Sequence, residues 1–143
     1  MSTMRIMRIE GWLDHEPNEV WAVISNFVRL DAWHPALLSC SADGEGVGAI
    51  RTLTVRAGTV REQLLERDPD RRVLRYEIVS GGSLSVRHAV LTMIVAASSG
   101  SGSTLIWELD GEPDGPPVGE LSAQAEARYL GRIDDLRRHL DGR

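Results

Sequence analysis

In residues 59–67 the alternation sets Val60, Glu62 and Leu64 on one face and Arg61 and Gln63 on the other. A carboxylate that points with Val and Leu has lost its water. Such a group is a candidate to take or give a proton in catalysis. The competing reading is an ion pair with Arg51 across the hairpin, which would shape the sheet without doing chemistry. The next run repeats the scheme, with Leu74, Tyr76 and Ile78 on one side and Arg75 and Glu77 on the other. An inward Tyr76 needs a partner for its hydroxyl, either protein or ligand.

His34 stands between Trp33 and Pro35, at a predicted corner between helix and strand. It is read as a general base, a general acid or a ligand hydrogen-bond donor, against a corner histidine bonded to a backbone carbonyl. His88 opens a long strand, where it either meets His34 or Glu62 across a cavity mouth or faces solvent. Glu108 follows Trp107, and only one of that pair points inward. Val60, Leu64, Ile78 and, on the last helix, Tyr129 complete the expected lining.

Other chemistries find little support. The four histidines show no ligand spacing and Cys40 is the only cysteine, so no metal is expected. All 16 basic residues are arginine, which excludes Schiff-base catalysis by a lysine. Gly44, Gly46 and Gly48 lie between strands rather than before a helix, so they form no phosphate loop. No cofactor is expected.

The elements follow from pattern and punctuation. Residues 5–13 read as a strand, with Ile6, Arg8 and Glu10 set against Met7, Ile9 and Trp12. Pro17 opens a helix that runs to about Asn26, and a short second helix over 28–33 must stop before Pro35. Strands are predicted at 37–42, 47–55, 59–67, 72–79, 86–96 and 104–110. The serine- and glycine-rich tip at 98–103 reads as mobile and without function. After a Pro-rich linker, Val118, Leu121, Ala125, Tyr129, Ile133, Leu136 and Leu140 mark the apolar stripe of one long helix. Arg128, Arg132, Asp135, Arg137 and Arg138 fall among its remaining positions. An amphipathic helix of that length must lie on something broad, and a curved antiparallel sheet is the available partner. A gap between the two is a small-molecule cavity.

This order resembles the START/Bet v 1-like, or helix-grip, superfamily, and within it the polyketide cyclase/dehydrase-like branch. The resemblance covers essentially the whole chain. It rests on Pro17-Asn18-Glu19-Val20-Trp21, Trp33-His34-Pro35, the segment from Gly48 to Leu53, the segment from Val60 to Asp68, Leu74-Arg75-Tyr76 and the terminal helix. It implies an α+β helix-grip fold: a curved seven-stranded antiparallel sheet around a long C-terminal helix, with two short helices between strands 1 and 2. The plant abscisic-acid receptors are distantly similar. They have a cationic side chain at the position of His34, carboxylates at Glu62 and Glu108, an aromatic at Tyr76, and a further pocket aromatic near His88. Their gate loop is here only Arg56-Ala57-Gly58-Thr59, which argues against a gate-and-latch switch. The cyclase branch has a Pro-rich segment with an Asn where this chain reads Ser83-Leu84-Ser85-Val86-Arg87-His88.

At 143 residues, with 42% hydrophobic and 26% charged residues, the chain is expected to be a single ligand-binding domain. No apolar run reaches the ~18 residues that span a bilayer. The net charge of −5 disfavours nucleic acid, and a cytoplasmic monomer or homodimer is expected. The function expected is a cofactor-independent cyclase, dehydratase or isomerase. Its substrate would be a small hydrophobic carbonyl-bearing metabolite such as a polyketide intermediate. Glu62 and His34 are the acid–base candidates; Tyr76, His88, Glu108 and the apolar residues named above hold the ligand. The alternative is a carrier that binds without transforming. A third reading has the arginines of the last helix recruiting a partner.

Overall fold

In the computed structural model, which describes residues 3–142, β1 (Met4–Leu13) leads into α1 (Pro17–Ile24) and a 3-10 helix (Phe27–Ala32). Six strands follow: β2 (Ser39–Ala42), β3 (Ile50–Val55), β4 (Gly58–Asp68), β5 (Val73–Ser80), β6 (Val86–Ala97) and β7 (Ser103–Pro113). The chain then forms α2 (Val118–Leu140). The strands make one antiparallel sheet in the order β1-β7-β6-β5-β4-β3-β2. This is the helix-grip arrangement expected from the sequence.

Bulges curve the sheet and set what faces inward. The register slips in β1 between Arg5 and Met7, so Ile6 and Met7 are both buried. Parity then puts Met7, Ile9 and Leu13 inside and leaves Trp12 exposed, against the expectation that Trp12 shares their face. β4 slips against β5 twice, between Arg61 and Glu62 and between Leu64 and Glu66, and β6 slips against β7 between Arg87 and Val90.

The short elements are trimmed relative to expectation. α1 ends at Ile24, because Asn26 (ψ 78°) leaves the helical region, and the 3-10 helix starts at Phe27. β3 begins only at Ile50, since Gly48 turns through φ +96°. The serine-rich tip is less empty than its composition suggests. Ser103 belongs to β7, is fully buried, and donates to the His15 carbonyl. His15 is half-buried, with ring nitrogens 3.0 Å from Glu19 and 2.7 Å from Asp141.

α2 buries Leu121, Ala125, Ile133 and Leu136 against the concave face. Glu120 in its first turn and Arg137, Arg138 and His139 in its last complement the helix dipole. The helix is tied to the β1 edge. Ser122 Oγ donates to the Ile6 carbonyl and Arg137 to the Trp12 carbonyl. Ile133 comes so close to Gly11 that a Cβ there would sit 2.7 Å from its methyl carbon. Packing down on β1 leaves the other half of the concavity, beneath β3, β4 and β5, unfilled by the helix. That remaining space is the cavity.

Candidate functional site

A cavity of about 280 Å³ lies between the sheet, the 3-10 helix and α2. Its walls are apolar for the most part, supplied by Ile24, Leu53, Leu74, Met93 and Trp33. The exposed residues among its lining, Gly82, Ser83 and Arg128, mark where it meets solvent.

Glu62 faces this space, and so does Arg51, which stands directly opposite it in the β3–β4 register. Both are buried. Arg51 Nε donates to Glu62 Oε1 at 2.8 Å, its Nη2 lies 2.7 Å from the same oxygen, and its Nη1 donates to the Phe27 carbonyl at 2.9 Å. The guanidinium also rests 4.0 Å from the Phe27 ring centre and 4.8 Å from that of Tyr76. The two readings of Glu62 therefore coincide. It lines the cavity and is also held by Arg51.

Tyr76 and Tyr129 line the same space from β5 and α2. Burial, reinforced by the Glu62 charge, holds both phenols well above the usual tyrosine range, so they stay protonated and act as donors. Tyr129 packs 4.8 Å from Trp107, ring centre to ring centre. Trp107 is the inward member of the Trp107–Glu108 pair. Its indole nitrogen is buried beside the Tyr76 phenol, yet outside hydrogen-bond geometry with any described residue.

His34 lies at the wall next to Arg132, whose Nη1 is 2.9 and 3.1 Å from the two ring nitrogens. Desolvation, with the Arg132 charge second, lowers the His34 pKa to about 4. The imidazole is thus neutral at pH 7. It presents a lone pair to the guanidinium and keeps one N–H as a donor.

This depression has a measurable consequence. Over the window from about 6.5 down to about 4 the unfolded chain takes up a proton at His34 that the folded chain refuses. Stability present above that window is lost as pH falls through it, by about 2 kcal/mol after allowing for solvent screening. Urea midpoints at pH 7 and pH 4.5 should differ less in the His34→Gln variant than in the wild type. Identical pH slopes in the two proteins contradict the burial argument.

Val60 and Ile78 also line the cavity, but three other expected residues do not. Leu64 points inward yet is completely enclosed in the hydrophobic core, opposite Tyr76 in the β4–β5 register. Glu108 faces the outer surface, where Arg5 Nη1 reaches it at 3.1 Å and Arg8 at 3.5 Å. His88 sits in the β6 bulge with φ +53° and a largely exposed side chain, 3.6 Å from Glu112. Conversely, Arg128 and Arg132 line the cavity although the sequence reading left them on the polar face of α2. Asp135, also read as polar surface, is buried between Arg132 and Arg138. No group of three or more His, Cys, Asp or Glu suited to a metal occurs among the described residues. Among those residues, no helix is long and apolar enough to cross a membrane.

Residues 13–142 match the family described as polyketide cyclase / dehydrase and lipid transport. No curated protein matches the sequence. Solved structures share the fold. XoxI from Bacillus cereus superposes with a TM-score of 0.83 at 21% identity, covering 98% of this chain and 96% of that one. Norcoclaurine synthase from Thalictrum flavum, in complex with dopamine and hydroxybenzaldehyde, gives 0.73 at 18% identity, covering 96% and 86%. Ara h 8.0201 gives 0.77 at 14% identity, covering 99% and 100%. At such identities the likeness is one of fold.

Proposed function

Because the chain belongs to the polyketide cyclase / dehydrase and lipid transport family, we propose that it binds a small, largely apolar carbonyl compound in the cavity under α2 and enolises it, towards ring closure or loss of water. The observation that carries this reading is the juxtaposition, in one apolar cavity, of a carboxylate with three neutral donors: Glu62 with Tyr76, Tyr129 and His34. An apolar wall binds the carbon skeleton, and a few convergent polar groups orient it.

The chemistry assigned to each group is simple. Glu62 takes a proton from the carbon next to the carbonyl, and the electron pair moves to the carbonyl oxygen. The phenols and the neutral imidazole donate hydrogen bonds to that oxygen as its charge grows. The enolate then attacks a second carbonyl in the folded chain, or expels a β-hydroxyl as water with the proton returned from Glu62. No cofactor is needed for these steps. Arg51 holds the Glu62 carboxylate in place while the substrate binds.

One observation favours a second reading, a carrier. Arg51 gives the inward carboxylate a structural reason to exist. A model ketone separates the two without knowledge of the native substrate. The protein should accelerate deuterium uptake into the methyl group of 2-acetylnaphthalene in D2O well beyond the buffer rate, followed by proton NMR. A carrier would bind the ketone and leave its methyl protons at the buffer rate.

A further inference from the structure

The charges around the cavity do not balance. Its lining carries three guanidinium groups, Arg51, Arg128 and Arg132, and one carboxylate, Glu62. Glu62 is consumed by Arg51. Arg132 has Asp135 at 3.2 Å, but Arg132 Nε and Asp135 Oδ2 are misaligned and each lacks a hydrogen bond, and Asp135 is shared with Arg138 at 2.5 Å. Arg128 makes no ion pair among the described residues, and it stands at the mouth. One turn separates Arg128 from Arg132, so both project from the same side of α2.

We propose that the ligand of this cavity carries a carboxylate, received at the mouth by Arg128 with Arg132 behind it, while its carbonyl end lies deeper beside Tyr76. This names the substrate class, an apolar oxo acid, and rests on the cavity being the ligand site. A guanidinium at the rim of an apolar cavity loses water when a ligand covers it, and an anionic acceptor is what offsets that loss. At His34 the Arg132 charge opposes protonation more strongly than the Asp135 charge favours it, and Arg51 adds to the opposition. The excess is local, since the whole chain carries −5. Anchoring one end also fixes the direction in which the skeleton enters, and so which carbon meets Glu62.

Isothermal titration with two probes of nearly the same shape tests this. 2-Naphthoate and 2-acetylnaphthalene differ in little more than an anionic oxygen replacing a methyl group. The expected result is about tenfold tighter binding of 2-naphthoate at low salt. That advantage should be lost in Arg128→Gln and kept in Arg71→Gln, a distant exposed arginine used as control. Equal binding of the two probes, or an advantage untouched by Arg128→Gln, overturns the carboxylate inference and leaves the cavity as a site for neutral ketones. Failure of both probes to bind overturns the cavity reading, and this inference with it.

Discussion

Arg51→Met should lower stability by about 3–5 kcal/mol, among the largest single-residue effects available in this chain. The substitution removes the guanidinium that meets Glu62 at 2.7 Å, leaves the Phe27 carbonyl without its donor, and withdraws a cation from between two aromatic rings. What remains is a carboxylate buried without a counter-charge. The double variant Arg51→Met/Glu62→Leu should recover most of the loss, because a buried pair replaced whole by apolar groups of similar volume is close to neutral. Urea unfolding of the wild type, the two single variants and the double variant completes the cycle. If Arg51→Met unfolds at the wild-type midpoint, the pair is solvated and the cavity is wetter than its lining implies.

Glu62→Gln should reduce ketone enolisation by 10²–10⁴-fold, on the order expected for loss of a positioned general base. The affinity for 2-acetylnaphthalene should stay within a few-fold of the wild type. The amide oxygen still accepts from Arg51, so the fold and the cavity persist while the basic group is gone. A fall in affinity with unchanged exchange per bound ketone assigns Glu62 to binding. Unchanged exchange and unchanged affinity remove it from the mechanism.

Much of this architecture is legible in the strand pattern. Period-two alternation places Glu62 and Tyr76 inside, and hairpin register makes Arg51 the partner of Glu62. The stripe on α2 likewise gives Tyr129 its inward direction. What alternation supplies is a face, not a depth: Leu64 and Glu62 share a face, yet one is sealed in the core and the other reaches the cavity. Bulges break the count outright. The slip in β1 buries Ile6 beside Met7, whereas Trp12 and His88 point outward by plain alternation with the buried Met7, Ile9 and Leu13 and the buried Ala89, Leu91 and Met93. The Trp107–Glu108 choice needed a tertiary fact, that Arg5 and Arg8 of β1 wait on the outer face for Glu108. Arg128 and Arg132 were invisible as cavity residues because helical phase reports which side is polar. It does not report that part of that side overlooks an opening left where α2 leans towards β1.

The central claim is that the space under α2 receives a carbonyl compound, and a crystal structure of the protein soaked with 2-acetylnaphthalene addresses it most directly. The account predicts the rings against Leu53, Leu74 and Met93, with the ketone oxygen in hydrogen-bond reach of Tyr76, Tyr129 or His34. A soaked crystal whose cavity has closed, or whose ketone lies only on the outer surface, would contradict it.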